Sequence, residues 1–328
     1  MTASELAIII VNWNGREFLP ACLQSIVDNP PLTPFEIVIV DNASTDGSTE
    51  WLRSDECSQM LAGNSFRLIK SCENLGFGRA NNLGSASSTA SSILILNPDT
   101  LITPGALQRL VDTLWSKENI GIVAPKLVQS DGSLQYSVAR LPETPLGIMI
   151  KGFAVNRLMP KRLFATWLYA DNWTYDKREA VPIVAGAAMM CKRLAFDQLG
   201  GFDPAIFMYS EDFDLCVRAR RAGWEVWFEP DAEVIHAGER SSSQRWLDDE
   251  RAVVQERATI DFENRAFGGP LNILNCAARV LVYSVHCWRF KMTGRETGTL
   301  RSLRRVNQKN CKLIAAGYLG WPRRPKDS

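Results

Sequence analysis

Along the first hundred residues, apolar positions gather into short runs, and each run stops at small polar residues. Leu6 to Val11 and Phe35 to Val40 are rich in β-branched residues, the pattern of strands covered on both faces. Between them Phe18, Leu19, Cys22, Leu23 and Ile26 recur at helical spacing, so the segment reads as a βαβ unit. A third strand is expected from Arg67 to Lys70, a helix from about Arg79, and a fourth strand from Ile93 to Leu96. Alternation continues to residue 115, and regular parallel winding then stops. Between Ile120 and Val138 two apolar stretches flank Asp131-Gly132, which predicts a hairpin. Residues 141–180 mix prolines with tryptophans and a basic amphipathic piece, Val155–Phe164, and read as a surface insertion. Ile183 to Met190 resumes a buried run, and Gly200-Gly201-Phe202-Asp203 turns the chain. Phe213 to Ala222 predicts a helix ended by Gly223, and Trp224 to Phe228 a final strand. From Ser241 onward the pattern is helical. Its apolar segment, Leu271 to Phe290, is broken by Asn272, Asn275, Arg279 and His286.

Composition changes this picture little. A chain of 328 residues, 46% hydrophobic and 22% charged, suits one large domain or a domain with an appendage. A net charge of +1 gives no overall reason to recruit nucleic acid. The distribution is uneven, because after Trp288 eleven Lys and Arg residues are opposed only by Glu296 and Asp327. None of the eight cysteines falls at CxxC spacing and there are two histidines, so no zinc site is expected. Scattered thiols fit a reducing compartment, and the cytosol is favoured. The opening Thr2-Ala3-Ser4-Glu5 has no basic region or signal-length apolar core, so no secretion signal is expected.

The chemistry is concentrated at the strand ends, where open α/β sheets bind ligands. Asp41 could accept a hydrogen bond from the imide N–H of a pyrimidine, with Asn12 and Asn14 nearby, or could open an Asx turn before a Ser44-to-Leu52 helix. Asp46 reads as a helix cap. Gly76-Phe77-Gly78-Arg79-Ala80-Asn81 has two glycines of a phosphate loop but lacks the third. Its helix N-terminus and Arg79 could favour a diphosphate, or it is an ordinary glycine-rich turn. Asn97-Pro98-Asp99 after a buried strand could hold Mg²⁺ or Mn²⁺ through Asp99, diphosphate oxygens and water. The other reading is a plain strand-to-helix turn capped by Thr103 before Pro104. Glu211-Asp212 opens a helix, where acidic residues are common for dipole reasons. Phe207, Met208 and Tyr209 would give the pair apolar surroundings that raise a carboxylate towards general-base duty, Asp212 first and Glu211 second. His236 follows the strand-like Glu233-Val234-Ile235 and could complete a metal site.

Five segments can be taken as a set: Ile9 to Asn14, Val40 to Asp46, Asn74 to Asn82, Leu96 to Asp99, and Gly201 to Cys216. Their order and spacing resemble the inverting family 2 glycosyltransferases of GT-A fold, most closely the rhamnosyltransferase-like branch, over about residues 5–245. The resemblance implies an α/β class, with a Rossmann-like mixed sheet flanked by helices as a catalytic domain over 1–240. A helical, basic C-terminal extension would follow over 241–328. It also implies a nucleotide-diphosphate sugar donor, a divalent metal (Mg²⁺ or Mn²⁺), and one-step displacement at the anomeric carbon with inversion. Carried over by position, Val11, Asn12, Asn14, Asp41, Asn74, Gly76, Arg79 and Asn97 fall to the donor, with Asp41 reading the base. Asp99 and His236 fall to the metal, and Asp212, beside Glu211, to deprotonating the acceptor. The family commonly has Asp-x-Asp where this chain has Asn97-Pro98-Asp99, so Asp99 is the firmer ligand.

No Gln-x-x-Arg-Trp segment follows the acidic pair; the chain has Arg218-Ala219-Arg220-Arg221-Ala222-Gly223-Trp224, which implies single-sugar transfer. Leu271–Phe290 nearly reaches the length of a membrane span, but Arg279 would be costly there, and an interfacial helix beside a basic tail fits better. A helix packed into the fold is the other reading. With an interfacial helix, the acceptor would be a lipid-linked glycan at the cytoplasmic membrane face. The nearest branch points to deoxythymidine-diphosphate rhamnose as donor. Two competitors remain. A sugar-phosphate nucleotidyltransferase needs a glycine-rich basic loop after the first strand, and Asn12-Trp13-Asn14-Gly15-Arg16-Glu17 is a poor one. A non-catalytic carbohydrate-binding or membrane scaffold could keep the same fold.

Overall fold

The computed structural model describes residues 5–135, 137–139, 145–153, 174–236, 248–292 and 298–315. The amphipathic piece Val155–Phe164, residues 241–247 and the tail beyond 315 lie outside that set. The chain begins with β1 (Leu6–Asn12), α1 (Leu19–Asp28), β2 (Phe35–Asp41), α2 (Ser48–Leu52), α3 (Asp55–Met60), β3 (Ser65–Lys70), α4 (Phe77–Ala86) and β4 (Ser92–Leu96). Next come β5 (Thr100–Ile102), α5 (Ala106–Trp115), β6 (Ile120–Val128), β7 (Leu134–Gln135), β8 (Val138–Ala139) and α6 (Pro145–Gly152). β9 (Glu179–Ala180), β10 (Ile183–Val184), β11 (Ala188–Lys192), α7 (Arg193–Gln198), α8 (Glu211–Arg221) and β12 (Glu225–His236) follow. The last helices are α9 (Asp248–Phe267), α10 (Gly269–Met292) and α11 (Gly298–Ala315).

The chain divides into two compact units, residues 1–139 with 174–241, and residues 140–173 with 242–328. The first is built on a mixed sheet in the order β3-β2-β1-β4-β11-β6-β12-β5, with β7 beside β6 and β9 beside β12. β3, β2, β1 and β4 run parallel, and β11 reverses the direction against β4. β1, β2 and β4 are mainly apolar and buried along almost their whole length because they lie inside the sheet. β3 is the edge strand, and it alternates, with Arg67 and Lys70 among its residues. The predicted hairpin forms, with Gly132 at φ +80° and Asp131 accepting the Ser133 N–H.

Three local expectations are corrected. The predicted Ser44-to-Leu52 helix is only Ser48–Leu52, because Asp46 accepts hydrogen bonds from Ser48 N (3.1 Å) and Ser48 Oγ (2.5 Å) and holds the preceding residues as a turn. Thr103 caps nothing: its hydroxyl donates to Glu233 O, and the residues after Asp99 form β5 rather than leading straight into a helix. The final strand runs to His236, since beyond a register shift it regains β6 and takes β5 on its other side.

In the second unit α10 packs with α6, α9 and α11. Ile148, Ala278 and Val282 form a small core, joined by Met149 and Tyr283. Arg279, the residue expected to be costly in a membrane, is buried and gives two hydrogen bonds to Glu263, at 3.0 and 2.6 Å. Tyr283 and Asn307 donate to Glu256, whose carboxylate also lies 3.7 Å from Arg279 Nε. No helix among the described residues is long and apolar enough to cross a membrane.

Candidate functional site

The parallel register sets the first cluster. Asn12 pairs with Asp41 at the ends of β1 and β2, and Asn12 Nδ2 donates to Asp41 Oδ1 (3.2 Å) and Ser44 Oγ (3.1 Å). Thr49 donates to the other Asp41 oxygen (2.7 Å), so Asp41, with no exposed surface, is held on both sides. Asn14, at φ +51°, bridges the same loop: its N–H donates to Ser44 Oγ and its Oδ1 accepts from Thr45 N. Asn42 ties the next loop in, donating to Asn74 Oδ1 (3.0 Å) and accepting from Leu75 N (2.8 Å). Val11 lies one residue upstream, paired with Val40.

The glycines of the third segment serve close packing. Gly76 takes φ +80°, and a Cβ there would stand 2.3 Å from Phe207 O; Phe77 N–H donates to that same carbonyl. A Cβ on Gly78 would stand 2.9 Å from Phe202 Cβ. Asn82 exchanges two hydrogen bonds with the Phe202 backbone. The α4 N-terminus is thereby fastened to the segment that leads into Glu211-Asp212, while Arg79 is exposed beside it.

A second cluster lies beyond β4. His236 stands opposite Thr100 across β12 and β5, which puts its Nε2 3.3 Å from Asp99 Oδ1 and 3.5 Å from Asn97 Nδ2. Its Nδ1 faces Gln135 Oε1 at 2.9 Å. Asp99 and His236 are both buried. Among the described residues no group of three or more His, Cys, Asp or Glu forms a cage for an ion.

The acidic pair completes the site. Tyr209 and Ser210 are consecutive residues at φ +68°, a conformation that costs about 1–3 kcal/mol per residue and collects at functional sites. They start α8 so that Asp212 Oδ2 accepts from Gly186 N (2.7 Å) and Oδ1 from Phe213 N (2.9 Å). The adjoining Ala187 O accepts the Asn97 N–H (2.9 Å), so one dipeptide holds both the Asn97 turn and the Asp212 carboxylate. Burial, then the charge of Asp212, pushes Glu211 up to about 8. Burial also raises Asp212, against the lowering effect of the Gly186 and Phe213 N–H groups. Glu211 is nearly enclosed, whereas Asp212 keeps some exposed surface. α8 packs on β10 and β12. Phe207, expected to shield the pair, is instead 43% exposed and lies against Gly76.

Residues 7–200 match the sequence family described as glycosyl transferase family 2. The chain belongs to that family. Over 214 residues this family 2 chain is 29% identical to the N-acetylglucosaminyl-diphospho-decaprenol L-rhamnosyltransferase of Mycobacterium tuberculosis, covering 62% of this chain and 66% of the relative, just under two thirds of its length. It is 26% identical to the rhamnosyltransferase WbbL of Escherichia coli over 238 residues, 70% of this chain and 82% of that protein. The fold matches the mannosyltransferase PcManGT of Pyrobaculum calidifontis, solved in complex with GDP-Man and Mn²⁺. That match has a TM-score of 0.56 at 17% identity and covers 98% of this chain and 88% of that one. The family 2 chain thus has the GT-A architecture, a mixed sheet with flanking helices and a helical C-terminal region.

Sequence reasoning missed Gly186, Ala187, Thr49 and Gln135. The first two carried a signal, since Ala185-Gly186-Ala187-Ala188 is a small-residue run inside a buried stretch, the mark of close backbone approach.

Proposed function

We propose that this chain transfers one sugar, with inversion, from a pyrimidine nucleotide-diphosphate donor to a lipid-linked glycan. The observation that supports the reading is the shared anchoring of Asn97 and Asp212 on Gly186-Ala187, which ties the Asn97-Pro98-Asp99 turn and the Asp212 side chain to one dipeptide. The base and ribose rest against the partly exposed Asn14 and Ser44, whose loops the buried Asn12 and Asp41 hold in place. Asp212 accepts the acceptor's proton; its raised pKa brings it towards the operating range of a base. Glu211, pushed up to about 8, keeps its proton near neutral pH.

The donor set fits a hard divalent cation. With Gln135 Oε1 as acceptor, the His236 ring proton sits at Nδ1 and the Nε2 lone pair faces Asp99 Oδ1, so two buried donors converge on one point. Asp99 and His236 would hold Mg²⁺ or Mn²⁺, with diphosphate oxygens and water as the remaining ligands. When bound, the ion would neutralise charge growing on the departing diphosphate.

The name of the M. tuberculosis relative supports rhamnose as the sugar and a lipid diphosphate as the acceptor's carrier, and hence peripheral work at the inner face of the membrane. A thermal-shift screen with Mn²⁺ and uridine, thymidine and guanosine diphosphate sugars tests the proposal, because selective binding to the native state raises the melting point. Stabilisation by the thymidine donor only in the presence of metal is expected. No response to any donor would favour the non-catalytic scaffold.

A further inference from the structure

Helix α10 has two unlike faces. Asn272, Asn275, Cys276, Arg279 and Val282 are buried in the second unit, with Asn272 donating to Ile260 O and Arg279 to Glu263. The opposite side carries Leu274 (56% exposed), Leu281 (48%), Val285 (38%), Trp288 (66%) and Met292 (73%). Steps of seven, four, three and four residues put these side chains on one line, five helical turns or about 27 Å long. Every other exposed residue of α10 up to Trp288 is also apolar, and the first exposed charge is Arg289. Single exposed apolar residues are ordinary on a monomer, but a continuous stripe marks an interaction surface.

The neighbouring charge identifies the occupant. α11 packs along α10 and exposes Arg301, Arg305 and Lys309 at four-residue spacing. Glu296 is the only acidic residue between Gly269 and Ala315.

We propose that α10 docks on an anionic lipid bilayer, with its stripe in the acyl boundary, Trp288 at the interface and the α11 basic residues among the head groups. The purpose of this surface rests on the reading above that a lipid carries the acceptor. A span is ruled out by the inward pairing of Arg279 with Glu263.

The test is sedimentation of the full chain with vesicles of phosphatidylcholine alone and of phosphatidylcholine mixed with phosphatidylglycerol. The expected result is binding to the mixed vesicles only. Leu281→Glu with Trp288→Glu should weaken it roughly 100-fold by loss of apolar burial. Neutralising Arg301, Arg305 and Lys309 to Gln should weaken it by a similar factor, at about five-fold per charge. Circular dichroism and the donor-induced thermal shift should be unchanged in both variants. A wild-type chain that sediments with neither vesicle overturns the proposal. So does undiminished binding by the Leu281/Trp288 variant, or a concentration-dependent dimer that this variant makes monomeric. Loss of the donor shift with vesicle binding intact would count against the transferase reading alone.

Discussion

Gly76→Ala tests whether packing at the α4 N-terminus sets the position of the acidic pair. Gly76 has φ +80° and ψ 174°, a region that essentially only glycine occupies, so alanine pays about 1–3 kcal/mol in backbone strain. The added Cβ would lie 2.3 Å from Phe207 O and 3.1 Å from Phe207 C, backbone atoms that no side-chain rotation can remove. Ordinary contact begins at 3.4 Å, so the Phe207 backbone must retreat by about 1 Å. The hydrogen bond from Phe77 N–H would be lost with it, at about 1 kcal/mol. The total is on the order of 2–4 kcal/mol. Phe207 stands four residues before Glu211, so the displacement reaches Asp212, and a 1 Å misplacement costs on the order of 100-fold in rate. Gly63→Ala is the control: Gly63 has φ +86° with nothing within 4 Å of an added Cβ, leaving about 1 kcal/mol of conformational cost and no effect on transfer. Urea unfolding midpoints and steady-state kcat and KM for sugar transfer measure both variants. If Gly76→Ala matched Gly63→Ala in stability and turnover, the reasoning would be refuted.

Three further outcomes are expected. Glu211 has its folded-state pKa raised from 4.5 to about 8, so the stability tied to its proton is complete at acid pH and is lost as pH rises from 4.5 through about 8. Glu211→Gln escapes that loss, and thermal unfolding from pH 5 to 9 should show the two proteins diverging and then running level; parallel curves throughout contradict the assignment. Asp99→Ala, like chelation of divalent metal, should abolish Mn²⁺-dependent donor stabilisation and stop transfer, and an unaffected rate would place the chain outside metal-dependent chemistry. Arg279→Met leaves Glu263 buried without its cation and should cost about 3–5 kcal/mol in urea unfolding, most of it recovered in Arg279→Met with Glu263→Leu. Equal losses in the single and double variants would deny the pair its role.

The parallel half of the sheet was legible because uniformly apolar runs ending in small polar residues have few other solutions. From that register alone Asn12 and Asp41 fall side by side. The mixed half was harder to read. β5 is three residues long, and its partner lies about 130 residues downstream, so the meeting of His236 with Asp99 follows from a pairing that no local pattern announces. The glycines at 76 and 78 were read as a weak phosphate loop, while the fold uses them for approach to Phe207 and Phe202, contacts invisible without tertiary structure. Arg279 reads from the sequence as expensive inside a membrane. Its destination, Glu263 on the preceding helix, lies sixteen residues away, beyond the reach of any single-helix periodicity. α10 therefore packs into its unit on one side and presents an apolar stripe on the other.

In the proposed reaction Asp212 removes the acceptor's proton during an inverting displacement. The direct measurement compares wild type with Asp212→Asn, which keeps an oxygen for the Gly186 N–H but cannot take up the proton. Donor affinity and transfer rate are measured on both, and the anomeric configuration of the wild-type product is read by nuclear magnetic resonance. Unchanged donor binding, transfer slowed by about 10²–10⁴-fold, and a product of inverted configuration are expected. Wild-type turnover by Asp212→Asn, or a product with retained configuration, would contradict the proposed reaction.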